Sequence, residues 1–307
     1  MEQRLLIAKI PKGRQGGRAV RPLLGGSPEV QHAMLEKFTT CPAGAGSAFT
    51  SAVPRHIKFV FVLELWAGTG RFSSSMAKLG YAVVLIDIRF HESHDLTKQK
   101  LQHGILGWIR ARHVLFTWMG ILCKSWSRAR NMPGGPAMLR NTDSIMGLCD
   151  IRLEADRRKV AEGNAMMYFA ARVARACVSA NIGFAIENPW SSWIWKTGAF
   201  SALVSQYKCH LVRTDFCMWG TMWQKGTGVL TNAAPGRVEK RCTGCKRGLC
   251  RRTGRPHLEL RGTLPDGRFL TAVAEPYPRS LCTQLALMAH NHIIGGQGEK
   301  MTRICNQ

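Results

Sequence analysis

The chain has 307 residues, 45% hydrophobic and 20% charged, an ordinary globular composition with room for one large domain or one and a half. Its 43 Lys and Arg stand against 19 Asp and Glu, a net charge of +24. That excess argues for a polyanionic partner, most simply nucleic acid, DNA or RNA, because neutralising phosphates releases counterions; a merely solvated basic surface is the plain alternative. No apolar run approaches the roughly 20 residues needed to span a bilayer, which excludes a membrane helix, and Met1–Lys9 lacks the apolar core of a signal peptide. The eleven cysteines are odd in number and scattered, the usage of reduced thiols in an intracellular protein of nucleus or cytoplasm.

In chain order, residues 1–55 are rich in Gly, Pro, Ser and Ala with interspersed Lys and Arg, and read as a flexible basic arm with one short helix near Val30–Phe38. The ordered core is expected over 56–235. It opens on the β-rich run Ile57–Glu64, followed by a Gly-rich turn, a helix over Phe72–Leu79 closed by Gly80, and a second strand over Tyr81–Asp87. His113–Met119 reads as a third strand leading into Gly120-Ile121-Leu122-Cys123-Lys124-Ser125-Trp126-Ser127. Apolar positions Val160, Met167, Phe169, Val173 and Cys177 recur at helical spacing, and Ile182–Ile186 is the next strand. Cys209–Arg213 and Val229–Thr231 look like further strands; residues 236–262 form a basic Cys-rich insert; and 263–307 return to the core through a helix over Pro278–His290, which His290-x-His292 is expected to cap. Strands alternating with helices give an α/β fold, a Rossmann-like, mostly parallel sheet with helices on both faces. Ligands in such sheets sit beyond the carboxyl ends of the strands.

Three segments fall at such ends. Glu64-Leu65-Trp66-Ala67-Gly68-Thr69-Gly70 follows a strand and precedes a helix, so its glycines allow close backbone approach to a ligand at a helix N-terminus. Asp87, 19 residues past Gly68, suits the vicinal hydroxyls of a ribose. The absent third glycine, with Glu64 just before the loop, favours S-adenosylmethionine over a dinucleotide; a plain strand-to-helix turn is the alternative. Asp95 suits an adenine amino group or, equally, a helix N-cap. Cys123 offers a thiol, and Glu187-Asn188 a carboxylate beside an amide.

These residues resemble the cytosine-C5 methyltransferases. The counterparts are Trp66-Ala67-Gly68-Thr69-Gly70 for the cofactor loop, Leu122-Cys123-Lys124-Ser125-Trp126-Ser127 for the nucleophile loop, and Glu187-Asn188-Pro189 for the carboxylate signature. Asp215–Gly220 and Gln224–Thr227 resemble a diverged further segment, so the likeness spans about 57–232. The pattern is more closely similar still to methyltransferase-like domains of retroelement and protist polyproteins, which share an ending here read as Cys245, His257, Leu260, Gly262 and Tyr277-Pro278-Arg279-Ser280-Leu281-Cys282. The resemblance implies S-adenosylmethionine held by Glu64, Trp66, Ala67, Gly68, Thr69, Gly70, Asp87 and Asp95. Cys123 would add to cytosine C6, Glu187 beside Asn188 would protonate N3, and the methyl would pass to C5. A duplex substrate would have to flip its base out. Lys124, Arg128 and Arg130 would lower the thiol pKa and meet phosphates, with Ser127 orienting the loop or a phosphate. Lys225 stands where the family has an arginine.

The sequence departs from the family at the nucleophile loop: Leu122 replaces its proline, Lys124 its glutamine, and Pro189 its valine. Asn188-Pro189-Trp190 also echoes the signature of amino-methyltransferases, a reading that leaves Cys123 without a role. Cys242-x2-Cys245-x4-Cys250-x6-His257 has ligand types and spacing compatible with a small zinc site, and Lys246, Arg247, Arg251 and Arg252 interleave it as a phosphate clamp. The alternative is an Arg-rich loop with free thiols. The expected function is a nucleic-acid methyltransferase; the rival is a catalytically inactive, nucleic-acid-binding relative of a mobile element or virus.

Overall fold

The computed structural model describes residues 60–131, 136–243, 248–260, 262 and 270–305. The basic arm over 1–55, the helix expected near Val30–Phe38, and Cys245, Lys246 and Arg247 lie outside the described residues.

Six strands form one sheet: β1 (Phe61–Leu65), β2 (Val83–Ile86), β3 (Val114–Gly120), β4 (Gly183–Pro189), β5 (His210–Asp215) and β6 (Gly226–Thr231). Their order is β2-β1-β3-β4-β6-β5. The pairs β1/β2, β1/β3 and β3/β4 are parallel, while β6 runs antiparallel to both β4 and β5. The chain is therefore α/β with a mostly parallel, Rossmann-like sheet. The reversal of β6 has a local cause: β5 reaches it through the short 3-10 turn Phe216–Trp219, with no crossover helix to carry the chain back.

Alternation along the strands assigns the two faces. In β1, Phe61, Leu63 and Leu65 face one cluster and Val62 the other; in β4, Phe184 and Ile186 oppose Ala185. The first face is covered by α2 (Gln99–Arg110), α3 (Glu154–Ser179) and α4 (Gly198–Ser205), the second by α1 (Arg71–Lys78) and α5 (Arg279–Cys305). Each fully buried Leu, Ile or Phe contributes about 1.5–3 kcal/mol of transfer free energy, so helix burial on both faces stabilises more than helix propensity does.

The helix ends follow from their sequences. Glu154 and Asp156 lie in the first turn of α3, where a carboxylate complements the N-terminal dipole. After α3, Asn181 takes φ 53°, the left-handed cap an Asn tolerates. Gly80 closes α1 at φ 90°.

Two features depart from the sequence reading. Helices α2 and α4 arise where no element was expected. The last helix continues past His290 to Cys305, so His290-x-His292 does not cap it: His290 Nδ1 lies 2.7 Å from the Tyr81 hydroxyl, and the His292 ring meets Phe116 edge-on.

Candidate active site

The strand order reverses between β1 and β3: the chain steps outward from β1 to β2, then crosses to β3 on the other side. In open α/β sheets ligands bind at such a switch point, outside the carboxyl ends of the strands. One wall is the loop after β1 and the other is the loop after β3 that carries Cys123. Glu187 sits on the adjoining strand, in register with Gly120.

The first wall is held by two carboxylates. Glu64, the last residue but one of β1, is fully buried, and its Oε2 accepts from Ser73 N at 2.8 Å, capping α1 from outside the helix. Burial lifts its carboxyl, the Ser73 hydrogen bonds oppose this, and the pKa lies at about 7. Asp87, just past β2, accepts from Gly68 N at 2.8 Å through Oδ2 and from Arg89 N at 2.9 Å through Oδ1. The loop therefore turns on Trp66 (φ 53°), Gly68 (φ 56°) and Gly70 (φ 62°), all left-handed. Gly68 faces open space, whereas a Cβ on Gly70 would meet the Leu85 side chain. Trp66 and Ala67 are buried and Thr69 is exposed at the rim. Asp95 accepts from Thr97 N and Oγ1 at 2.9 and 2.6 Å. Burial would raise its carboxyl, but the Thr97 hydrogen bonds and Lys98 hold it below the usual range. It closes the turn before α2, of which Lys98 is the N-cap residue.

The second wall is a tight turn in which Cys123 O accepts from Trp126 N (3.0 Å) and Ser127 N (2.9 Å). A buried cation absent from the sequence reading fixes it. Arg140 donates through Nε to Ser125 O, through Nη2 to Ser125 Oγ and Val160 O, and through Nη1 to Ile145 O and Asn164 Oδ1, all within 2.7–3.2 Å. Its guanidinium lies 3.5 Å over the Trp126 ring, and burial lowers its pKa to about 10. The turn reaches α3 at Gly163, whose carbonyl accepts from the Trp126 indole at 3.3 Å; a Cβ there would collide with Ser125 and Trp126. Nothing in the sequence except a glycine inside a helical run marks this contact.

The floor is β4. Asn188 is fully buried and donates from Nδ2 to Ile121 O at 2.8 Å, tying the strand to the thiol loop. Glu187 Oε2 accepts from the Tyr277 hydroxyl at 2.8 Å. Tyr277, just before α5, touches Trp118 and Phe216 edge-on, and a Cβ on Gly120 would strike its hydroxyl. Burial raises the Glu187 carboxyl, partly offset by Lys225 and the Tyr277 hydrogen bond. Four buried polar atoms of the first wall and the floor have no hydrogen-bond partner: Glu64 Oε1, Trp66 Nε1, Glu187 Oε1 and Asn188 Oδ1. Such atoms are costly to leave unmet.

The Cys123 thiol overturns one expectation. Lys124, Arg128 and Arg130 do not depress its pKa: burial raises it, Lys225 lowers it and Glu187 raises it, with a net rise. Lys124 is exposed, Arg128 stacks on Trp193 (4.6 Å), and Arg130 is engaged with Asp156 (3.5 Å) and Ala137 O (3.0 Å). The side chains of Lys124 and Arg128 thus remain at the surface, whereas Arg130 is held in the structure. Ser127 is half-buried in the turn.

In the insert, Arg252 donates to Cys217 O (2.6 Å) and Thr221 O (3.4 Å), and Arg251 to Thr243 Oγ1 (2.9 Å). The thiols of Cys242 and Cys250 and the His257 ring converge as the spacing implied, and Cys217, from the turn after β5, joins them. Burial raises the Cys217 thiol; at Cys250, where burial also pushes upward, the Thr253 and Arg252 hydrogen bonds and His257 prevail and bring it to about 6.

No described helix is long and apolar enough to cross a membrane. No protein-family model and no curated protein matches the chain.

Proposed function

We propose that the chain is an S-adenosylmethionine-dependent nucleic-acid methyltransferase that attacks cytosine through Cys123. The observation that carries this reading is the placement, at the carboxyl ends of the adjoining strands β1, β3 and β4, of a Gly-rich loop, a half-buried thiol and a buried carboxyl with one unpaired oxygen.

Glu64, Trp66, Gly68, Gly70 and Asp87 would hold the cofactor: Asp87 and Glu64 draw the loop tight, and Trp66 Nε1 and Glu64 Oε1 are unpaired. Asp95, at the edge, lies one turn before α2. Bound there, S-adenosylmethionine supplies an electrophilic methyl on sulfur.

The chain's own residues carry the rest. Cys123, once deprotonated with Lys225 as its countercharge, adds to C6 of the ring. The Glu187 carboxyl, whose hold on a proton burial strengthens, would donate to N3 through Oε1 while Tyr277 holds Oε2. The C5 carbon then takes the methyl, a base removes the C5 proton, and the thiolate leaves as the ring regains its double bond. Asn188 fixes the distance between strand and thiol loop. Lys124, Arg128, Arg251 and a net charge of +24 supply the phosphate contacts.

The test is an oligonucleotide carrying 5-fluorocytosine, in DNA and RNA forms, incubated with the protein and S-adenosylmethionine. Because fluorine cannot leave as a proton does, a covalent adduct accumulates; mass spectrometry should place it on Cys123 and Cys123→Ala should abolish it. No adduct on either nucleic acid would sink the covalent mechanism. A second reading, a nucleic-acid-binding protein without activity, draws on the burial of the thiol, which raises its pKa and so disfavours the thiolate. Calorimetry separates the two, since only the enzyme has cause to bind S-adenosylmethionine.

A further inference from the structure

Beyond the crevice, the chain holds a second chemical cluster that the methyl-transfer reading does not use. The thiols of Cys217, Cys242 and Cys250 and the imidazole of His257 place their ligand atoms all within 4.8 Å of one another. Cys242 Sγ and His257 Nε2 are 3.7 Å apart. In a tetrahedral zinc site with Zn–S near 2.3 Å, ligand atoms are separated by roughly 3.5–3.8 Å. The cluster is already close to that size, and a modest contraction would close it around one ion.

We propose that Cys217, Cys242, Cys250 and His257 bind one Zn2+ as a closed, four-ligand structural site that fastens the basic insert to the β5 edge of the sheet. The ligand set differs from the one read off the insert's spacing: Cys217, a core residue 25 positions before Cys242, takes the place of Cys245.

Three observations beyond the convergence support it. The three cysteines are buried and make up a small cluster of their own, separate from the two apolar cores. The surroundings hold the ligands from behind, as outer groups around metal ligands do: Arg251 N donates to Cys242 Sγ at 3.3 Å, and Cys242 N donates to Asp215 Oδ2 at 2.7 Å. Finally, beyond the start of the insert, where Val238 is buried in the core and Lys240 lies 4.0 Å over the Trp219 ring, its described residues are tied to the core chiefly by hydrogen bonds such as Leu258 N to Met222 O (2.9 Å) and Arg252 to Cys217 O. A loop of this composition, without an apolar core of its own, needs a staple.

The position gives the ion a consequence. Cys217 lies in the turn Phe216–Trp219; Phe216 packs on Tyr277, and Phe216 N donates to Lys225 O at 3.1 Å. The ion would therefore hold Lys240, Arg241, Arg251 and Arg252 in a fixed position relative to the Glu187 side of the crevice. Four protein ligands leave no open position, so it would not activate water.

The test is the metal content of the full chain purified without chelators, with Cys217→Ser and Cys245→Ser beside it. The wild type should carry about one zinc per chain, Cys245→Ser should keep it and Cys217→Ser should lose it. If Cys217→Ser does not fold, alkylation of the wild type decides: Cys217, Cys242 and Cys250 should be protected until a chelator is added, while Cys245 labels at once. Wild-type protein without zinc after incubation with zinc salt, immediate labelling of Cys217, or retention in Cys217→Ser with loss in Cys245→Ser overturns the proposal. None of these readouts depends on Cys123 or on methyl transfer.

Discussion

The Tyr277 hydroxyl donates to Glu187 Oε2 at 2.8 Å across 90 residues of chain, joining the segment before the last helix to the carboxyl beside the thiol loop. The bond fills one oxygen of a buried carboxyl and leaves the other for a ligand. Replacing Tyr277 by Phe keeps the ring contacts and removes the donor. We expect a loss of about 1–3 kcal/mol, read from urea unfolding, because a buried acceptor is left unmet. The apparent pKa of Glu187 should rise, since the hydrogen bond lowers it.

Glu64 gives a pH signature. Its folded pKa, raised from 4.5 to about 7, exceeds that of the unfolded chain, so the folded state binds more protons in that interval. Stability is therefore fullest below pH 4.5 for this group and is lost as pH rises toward 7, by an amount on the order of 3 kcal/mol. In Glu64→Gln, which still accepts from Ser73 N, that slope should vanish from unfolding free energies measured across the interval. An unchanged slope would assign it to other groups.

Charges around Cys123 should act on its reactivity with opposite signs. Lys225→Met removes the cation that lowers the thiol pKa and Glu187→Gln the carboxyl that raises it. At pH 8, alkylation of Cys123 followed by peptide mass spectrometry should slow in the first and quicken in the second, each on the order of threefold. Shifts in the same direction would contradict the geometry.

Arg140 is the keystone of the thiol loop. Arg140→Met should cost several kcal/mol, because it strips partners from Ser125, Val160, Ile145 and Asn164 at once. Gly163→Ala, which raises helix propensity, should also destabilise, since its Cβ would collide with the Ser125 and Trp126 side chains. Limited proteolysis should then cut within 122–127.

The surface cations divide into two sorts by salt dependence. For binding to a nucleic-acid duplex, Lys124→Ala and Arg128→Ala should each reduce the slope of log K against log salt by about 1. Arg130→Ala should leave the slope unchanged and instead lower stability, because Arg130 is held by Asp156.

The sequence by itself determined the parts of this protein that depend on local order. Continuous apolar runs rich in β-branched and aromatic residues became β1, β2 and β3, as strands covered on both faces require, and α3 follows from apolar positions at helical spacing. The Gly-rich turn, Cys123 and Glu187 were legible because each follows such a run. Short helices such as α4, only eight residues long, escaped because tertiary burial decides so short an element.

Only the tertiary structure decided which distant residues meet. That Tyr277 holds Glu187, that Arg140 builds the thiol turn, that Lys225 rather than Lys124 sets the charge at Cys123, and that Cys217 joins the insert's cysteines are all contacts between elements far apart in the chain. Their energies come from burial, which removes competing water and makes each missing partner costly. Burial is a property of the packed sheet and helices, and no spacing along the chain encodes it.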